Sequence, residues 1–264
     1  MVDLDYIHWA HQSGRHVWPL FGNRFDPRLT HTILSNNKKR EQVIQQLRNI
    51  LVKNDIDGIN VDFENIDIQD KKRYVSFIRE LHEVLHPHGI IVSVDVSREN
   101  PDPSWSGSFD RRELGKAADY ILMMGYDEDL SGGGKIGSVA SLPWLEEGVQ
   151  LLLKEVPARK VILAVPFYTR DWVTNLTTKE TEQHDLSLIE VKKLIEDKGL
   201  TKQWDTKSKQ NRVEYTEGDQ KHQIWVEDEQ SMKQRLDLVQ RYKLRGAAVW
   251  FMGQEPPEIW DVFR

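Results

Sequence analysis

Short apolar runs alternate with amphipathic segments along most of this 264-residue chain. The runs have the length of buried strands, and the segments repeat their apolar residues at helical spacing. Strands are predicted near residues 16–21, 57–64, 90–96, 120–127, 161–168 and 246–252, and helices near 30–52, 74–85, 114–118, 144–153 and 230–242. Strands joined by such helices pair in parallel and are buried on both faces. The pattern predicts the parallel α/β class, either a barrel or a doubly wound sheet.

The alternation breaks between Arg170 and Asp228. Apolar spacing indicates a short helix over residues 186–198, and two candidate strands, 212–216 and 222–226, flank the turn residues Glu217-Gly-Asp219. We predict a small α+β insertion at 170–228, before the last strand, that forms one wall of a substrate cleft. The length suits one large domain, so residues 1–264 are expected to form a single domain.

The count of strands does not match a complete barrel. Six core strands are predicted, whereas a closed βα barrel has eight, and the first begins near residue 16. Either the first two βα units of a barrel are lacking here, or the sheet is closed in another way.

Composition excludes several classes of function. The formal net charge is −6, and no stripe of lysine and arginine with interleaved aromatics suggests nucleic acid. The chain has no cysteine, which removes disulfides, thiolate catalysis and cysteine-based zinc sites. No apolar run suggests membrane insertion, and the N-terminus lacks the plan of a signal peptide. The nine histidines show no metal-ligand spacing, so neither a metal nor a cofactor is expected.

The strand at residues 57–64 carries acidic residues on one face. Its sequence is Asp57-Gly-Ile-Asn60-Val-Asp62-Phe-Glu64. Successive strand side chains alternate, so Asn60, Asp62 and Glu64 share a face opposite the apolar residues. Burying carboxylates costs several kcal/mol unless they are paired, hydrogen-bonded or protonated, on the order of the net stability of a domain. If the strand were half-exposed, its acidic face would lie in water, whereas a buried acidic face indicates a functional site. Asp57, at the start of the motif, is expected to hydrogen-bond the turn and backbone.

Further polar residues follow the C-terminal ends of the predicted strands, which is where α/β barrels place their active sites. They are Asp62, Glu64, Asp95, Tyr126, Asp127 and Tyr168.

The motif over residues 57–64 resembles the strand-four signature of glycoside hydrolase family 18, the chitinase family, written D-G-x-D-x-D-x-E. Two further segments agree in order, Met123-Met-Gly-Tyr126-Asp127 with the family's M-x-Y-D strand end and Ala247-Ala-Val-Trp250 with its strand-eight tryptophan. The resemblance runs from about Val17 to the C-terminus and lacks the family's strands one and two. It implies one catalytic (β/α)8 barrel without its first two βα units.

Three other segments are most similar to the branch of this family that cleaves spore-cortex peptidoglycan. They are Val165-Pro-Phe-Tyr168, Trp225-Val-Glu-Asp228 and Gly253-Gln-Glu255. The resemblance implies a substrate of β-1,4-linked N-acetylglucosamine, peptidoglycan in preference to chitin, and a location outside the cytoplasm at the spore or cell wall. That branch also carries Asn at position 60, where the common pattern has Asp.

The resemblance implies a retaining mechanism in which the substrate's acetamide oxygen is the nucleophile. Glu64 would be the acid, Asp62 would hold the acetamide N–H, and Tyr126 would bind the acetamide. Further substrate contacts are expected from Asp127, Trp250, Asn60, Tyr168 and Asp95. The alternatives are a non-catalytic carbohydrate-binding relative, which the presence of Glu64 disfavours, and a structural component of the spore coat or wall.

Overall fold

The computed structural model describes residues 2–99, 106–131 and 135–263. This part of the chain divides into two compact units. The first contains the residues up to Met123 together with Leu152–Val161, and the second contains Met124–Leu151 and the residues from Ile162 onward.

The first unit is built of alternating helices and parallel strands. Its strands are β1 (Leu20–Gly22), β2 (Gly58–Asp62), β3 (Ile91–Ser97) and β4 (Tyr120–Met124), adjacent in that order. Its helices are α1 (Leu4–Gln12), α2 (Pro27–Leu34), α3 (Asn37–Lys53), α4 (Lys71–Leu85) and α5 (Arg111–Ala117), with 3₁₀ helices at Ile68–Asp70, His86–His88 and Ala158–Lys160. In the parallel register Asn60 lies opposite Leu20 on one side and Ser93 on the other.

The apolar face of β2 packs on α4. Ile59 and Val61 are at most 1% exposed, and the ring of Phe63 stacks on those of Tyr74 and Phe77. The predicted helix over 74–85 is confirmed, and it ends at Leu85 as expected. Gly89, which follows the short 3₁₀ helix after α4, takes the left-handed conformation with φ of 73°. This packing fixes which face of β2 carries the polar side chains.

Two features of this unit were predicted wrongly. The single helix expected over 30–52 is two helices: α2 ends at Leu34, and Asn36 begins α3 as its N-cap by accepting a hydrogen bond from Lys39 N at 3.1 Å. Helix α1 was not predicted at all; Asp3 caps it by accepting from Tyr6 N at 3.0 Å. Single capping residues decide both helix boundaries.

The second unit contains a parallel strand pair and an antiparallel sheet. Strand β5 (Val161–Pro166) pairs with β11 (Gly246–Trp250) from Ile162 and Gly246 onward. Its helices are α6 (Glu128–Ser131), α7 (Leu142–Leu152) and α9 (Glu229–Arg241), and a 3₁₀ helix covers Pro257–Phe263. The parallel pairing in both units confirms the predicted parallel α/β class.

The predicted α+β insertion is present as a five-stranded antiparallel sheet with one helix. Its members are β6 (Tyr168–Asn175), β7 (Thr181–Ser187), α8 (Leu188–Lys198), β8 (Gln203–Asp205), β9 (Gln210–Glu217) and β10 (Gln220–Val226). The strand order is β7-β6-β10-β9-β8, around a core of Val191, Val213, Ile224 and Val226. The strands expected at 212–216 and 222–226 are confirmed. The β6–β7 hairpin was missed, because β7 is largely exposed and polar and shows no apolar alternation.

Within the described residues, no helix combines the length and the apolar character that crossing a membrane requires.

We predict that Gly58→Ala destabilises the first unit. A Cβ at Gly58 would lie 2.6 Å from Cδ1 and 2.7 Å from Nε1 of Trp18, whose indole stacks on Tyr120. Such overpacking lowers the free energy of unfolding by about 1–3 kcal/mol, measurable by urea denaturation. The matched control is Gly246→Ala, whose Cβ has no heavy atom within 4 Å and should change it by about 0.5 kcal/mol or less. Equal losses in the two variants would contradict the prediction.

Candidate active site

The polar face of β2 has the alternation that the sequence predicts. Asn60, Asp62 and Glu64 are half-buried, whereas the intervening Ile59, Val61 and Phe63 are buried. The strand ends at Asp62, so Glu64 follows its C-terminal end. These three side chains therefore stand at the edge where α/β folds build their sites.

The side chain of Asn60 bridges two residues of the neighbouring strand. Its Oδ1 accepts a hydrogen bond from Ser93 Oγ at 2.6 Å, and its Nδ2 donates to Asp95 Oδ2 at 2.8 Å. An uncharged amide can accept on one side and donate on the other in this way, which an ionised carboxylate at the same position could not do. Asn60 thus fixes the orientation of the Asp95 carboxyl, and its predicted role as a substrate contact stays a prediction.

Asp62 and Asp95 each have a buried oxygen to which no described residue donates a hydrogen bond. Oδ1 of each is buried without a hydrogen-bond partner. Burial raises the pKa of Asp62, and burial together with the charges of Asp62 and Glu64 raises the pKa of Asp95 well above its usual range. Tyr74, on α4, is fully buried, and its pKa is raised by burial and by both of these carboxylates. Tyr74 was not predicted as a site residue, because its place in the apolar pattern of α4 suggested only a core residue.

The backbone of Glu64 is held by the side chain of Asn23, which the sequence analysis did not identify. Asn23 follows β1 and is 5% exposed. Its Oδ1 accepts from Glu64 N at 3.0 Å, and its Nδ2 donates to Glu64 O at 2.7 Å and to Thr30 Oγ1 at 2.7 Å. The side-chain amide of Asn23 therefore takes the place of a backbone peptide group and extends the β1–β2 pairing to Glu64, the candidate acid.

Asp57 has the structural role that was predicted for it. Its Oδ2 accepts from Val17 N at 2.7 Å and lies 2.9 Å from His11 Nε2. Burial raises the pKa of Asp57, but these two hydrogen bonds and the charge of His11 outweigh burial and leave the pKa below its usual value.

In the second unit, Asp127 is held by two side chains of β6. Its Oδ1 accepts from Tyr168 Oη at 2.6 Å and from Arg170 Nη2 at 2.8 Å. Arg170 is 5% exposed and also pairs with Asp129 through Nη1 and with Asp185 Oδ1 at 2.9 Å through Nε. Burial lowers the pKa of Arg170, but the hydrogen bonds and charges of Asp129 and Asp127 raise it by more than burial lowers it. The guanidinium therefore stays charged. The structure brings together the predicted residues Asp127 and Tyr168.

Arg170 was missed as a site residue. It lies two positions after Tyr168 in β6 and hence on the same face of the strand, but the sequence analysis assigned it to the start of a polar insertion. Burial, followed by the charge of Asp127, raises the pKa of Tyr168, so its hydroxyl remains a donor.

Two further predicted residues of this unit are aromatic. The ring of Tyr126 meets that of Tyr168 edge-on, with centroids 6.1 Å apart. Trp250, the last residue of β11, is 43% exposed and is joined to Phe251 by a cis peptide bond. An exposed indole offers a flat apolar face of the kind that packs against sugar rings.

Among the described residues, one group has side chains and spacing that suit a metal ion. It consists of His82 of α4, His86 at the start of the 3₁₀ helix that follows α4, and Asp119, and their ligand atoms lie within 4.8 Å of one another. Asp119 precedes β4 and accepts from Val92 N at 2.8 Å, near the start of β3, whereas Asp62 and Glu64 follow the opposite end of β2. This group therefore does not take part in the carboxyl cluster.

Comparison with known proteins gives one family. The model of glycosyl hydrolases family 18 matches residues 5–255. The chain is 30% identical over 245 residues to a Bacillus subtilis protein named uncharacterized glycosylase YvbX, covering 91% of this chain and 70% of that protein. It is 25% identical over 228 residues to the cortical fragment-lytic enzyme of Bacillus subtilis, covering 83% of this chain and 53% of that enzyme. The chain thus spans about half the length of the cortical enzyme.

Solved structures share the fold. The spore cortex-lytic enzyme SleL of Bacillus megaterium superposes with a TM-score of 0.89 at 21% identity, over 98% of this chain and 61% of that chain. A chitinase from Chromobacterium violaceum gives a TM-score of 0.88 at 24% identity, over 99% of this chain and 83% of that chain. These likenesses confirm the predicted α/β barrel fold.

We predict that Arg170→Met destabilises the protein by about 3–5 kcal/mol, because it removes the buried guanidinium that pairs with the buried carboxylate of Asp129. Thermal and urea unfolding would measure the loss. Lys193→Met is the control, since its ion pair with Asp197 is exposed and exposed pairs contribute little to stability. A loss at Arg170 no larger than that at Lys193 would show that the cluster does not depend on this guanidinium.

Proposed function

Because the chain belongs to glycosyl hydrolases family 18, we propose that it hydrolyses β-1,4-linked N-acetylglucosamine. The proposed substrate is peptidoglycan of the spore cortex in preference to chitin-type glycans. The names of two relatives, the cortical fragment-lytic enzyme and SleL, support the cortex as substrate, and the chitinase fold supports the linkage. The same relatives support a location at the spore or cell wall.

The observation that carries the proposal is the unfilled, buried Oδ1 of Asp62 beside Glu64. A buried acceptor without a partner costs free energy, and a ligand that supplies an N–H removes that cost. The acetamide of N-acetylglucosamine has such an N–H. With its N–H on Asp62, the acetamide is oriented so that its oxygen can attack the anomeric carbon.

Glu64 is the proposed general acid that protonates the leaving glycosidic oxygen and then, as a carboxylate, removes a proton from the incoming water. Its backbone N and O are both fixed by Asn23, which limits the positions that the carboxyl group can take. Precise placement of an acid reduces the entropy lost on reaching the transition state.

The remaining predicted residues are proposed to bind and orient the substrate. Tyr126 would donate to the acetamide oxygen, Asp127 would accept from a sugar hydroxyl, and Trp250 would pack against a sugar face. Arg170 pairs with Asp127, and the 41% exposed side chain of Asp127 leaves an acceptor accessible. Tyr168 acts by holding Asp127 through its hydrogen bond.

The mechanism is proposed to be retaining and substrate-assisted. Attack by the acetamide oxygen forms an oxazolinium ion as the bond to the leaving oxygen breaks, and water then opens this ion from the same face as the leaving group. The anionic form of Asp62 would stabilise the positive charge of the intermediate through its hydrogen bond to the acetamide nitrogen. No second carboxylate is required as a nucleophile.

We predict that Glu64→Gln lowers kcat at least about 100-fold, because glutamine cannot supply the proton. Release of reducing ends from cortical muropeptides and from chitooligosaccharides would be measured, with calorimetry for binding. Binding should survive in the variant. Glu80→Gln, which alters a glutamate paired with Arg40 away from the site, should keep the wild-type rate.

Turnover that persists in Glu64→Gln would refute the proposed acid. Binding of both glycans by the wild-type chain with no release of reducing ends would instead support a carbohydrate-binding protein.

We predict that the first product formed has the β configuration at its new reducing end. Retention converts a β-linkage into a β-anomer, whereas direct attack by water would give the α-anomer. Proton NMR during the first turnovers, before mutarotation, distinguishes the two. Early α-anomer would exclude the substrate-assisted mechanism while leaving glycosidase activity intact.

A further inference from the structure

Asn60 and Asp95 together differ from the arrangement expected of a D-x-D-x-E strand. The family pattern has an aspartate at position 60, two residues before Asp62 on the same face. Here position 60 is an amide, and a carboxyl lies instead on the neighbouring strand, β3, where Asp95 is 6% exposed. The second carboxyl of the motif is not lost but occupies a different strand.

The register places Asp95 next to Asp62. Asn60 lies opposite Ser93 and Val61 opposite Val94 in the parallel pair β2–β3. The next position in this register brings Asp62 beside Asp95, on adjacent strands about 4.8 Å apart and on the same face. The two carboxyl groups are therefore closer neighbours than two residues on one strand, which are about 7 Å apart.

Hydrogen bonding leaves one oxygen of each carboxyl unused. Asn60 Nδ2 binds Asp95 Oδ2, and Asn60 is itself fixed by Ser93 Oγ. Oδ1 of Asp95 and Oδ1 of Asp62 are both buried, and no described residue hydrogen-bonds to either. A proton on Oδ1 of Asp95 could be donated to one lone pair of Asp62 Oδ1, whose second lone pair stays open to the acetamide N–H of the proposed substrate.

The titratable groups that face Asp95 are all acidic. They are Asp62 and Glu64 from the β2 side and Tyr74 from α4. Strand β4, on the other side of β3, reads Tyr-Ile-Leu-Met-Met and contributes no carboxyl, imidazole or cationic group. Two ionised carboxylates side by side in such surroundings repel each other, so one of them retains a proton.

We propose that Asp95 is a positioning residue that holds this proton against Asp62, so that the pair carries one negative charge and Asp62 is its anionic member. This inference rests on the proposed function for its catalytic consequence: the single charge of Asp62 is held toward the acetamide of the substrate. Asp95 does not touch the substrate. It replaces, from β3, a carboxyl at position 60.

The proposal has a signature in stability. Burial and the charge of Asp62 raise the pKa of Asp95 in the folded chain. Between the ordinary pKa of an aspartate and this raised value, the folded state binds more protons than the unfolded state, so stability falls as the pH rises through that interval. Asp95 therefore destabilises the fold at neutral and alkaline pH. A residue retained for structure would do the opposite.

The test is a cycle of Asp95→Leu, Asn60→Asp and the double variant. For Asp95→Leu, which removes the donor to Asp62, we expect kcat on chitooligosaccharides to fall about 10- to 100-fold with KM within about threefold, as for a misplaced reacting group. Asp95→Asn keeps an uncharged donor for Asp62 and should stay within about fivefold of the wild-type kcat. Asn60→Asp alone adds a third carboxyl to the pair and should lower kcat. The double variant of Asp95→Leu and Asn60→Asp moves the carboxyl back to β2 and should recover kcat to within about fivefold of wild type. A double variant no more active than Asp95→Leu would overturn the proposal.

Unfolding midpoints measured from about pH 4 to about pH 8 give a second readout that needs no substrate. Asp95→Asn should be more stable than wild type at the alkaline end, and the difference should shrink as the pH falls. Asp57→Asn is the matched control, for which the stability change should have the opposite sign. The pKa of Asp57 is lowered in the folded chain, so removing its carboxylate should destabilise the protein at alkaline pH. If Asp95→Asn were less stable than wild type at the alkaline end, the proposal that Asp95 and Asp62 share a proton would be wrong.

Infrared spectra separate failure of this inference from failure of the proposed function. At neutral pH the wild type should show one protonated-carboxyl C=O band that Glu64→Gln removes and a second such band that Asp95→Asn removes, and the second is the band of the carboxyl pair. A wild type that cleaves no glycan but shows this band would refute the proposed substrate and keep the carboxyl pair. Absence of the band in an active wild type would refute the pair alone.

Discussion

Strand β2 carries an apolar face and an acidic face in strict alternation, and the candidate site depends on that register. Ile59, Val61 and Phe63 are buried, with Phe63 stacked against two rings of α4. A slip of one residue would exchange the faces and bury Asp62 and Glu64 in the helix interface. The free energy of apolar packing on one side therefore determines where the carboxyl groups lie on the other.

The two units hold the carboxylates of the candidate site in different ways. In the second unit the buried guanidinium of Arg170 pairs with Asp127 and Asp129. In the first unit Asp62 and Asp95 face other acids, and burial raises the pKa of both. A cationic partner suits a group that is proposed to bind sugar hydroxyls, whereas a carboxyl that can gain or lose a proton suits the proposed reacting centre.

The sequence was informative where the structure depends on periodicity. The faces of β2, the extent of α4 and the site carboxyls at strand ends follow from periods of 2 and 3.6 and from the family motif. It was uninformative where one side chain acts across a long separation. Asn23 reaches Glu64 41 residues away, and Arg170 reaches Asp127 43 residues away. Such partners carry no local signal, and the exposed hairpin strand β7 carries no apolar pattern either.

Neutral amides, rather than charged groups, hold Glu64 and Asp95 of the candidate site in place. Asn23 fixes the backbone of Glu64, and Asn60 fixes Asp95, each by donating and accepting at once. A lysine or arginine in either position would supply a donor but would also lower the pKa of every carboxyl nearby. In the proposed mechanism Glu64 would then lack the proton that it gives to the leaving oxygen. An amide fixes geometry without adding charge, and so leaves the protonation states to be set by burial and by the carboxyl groups themselves.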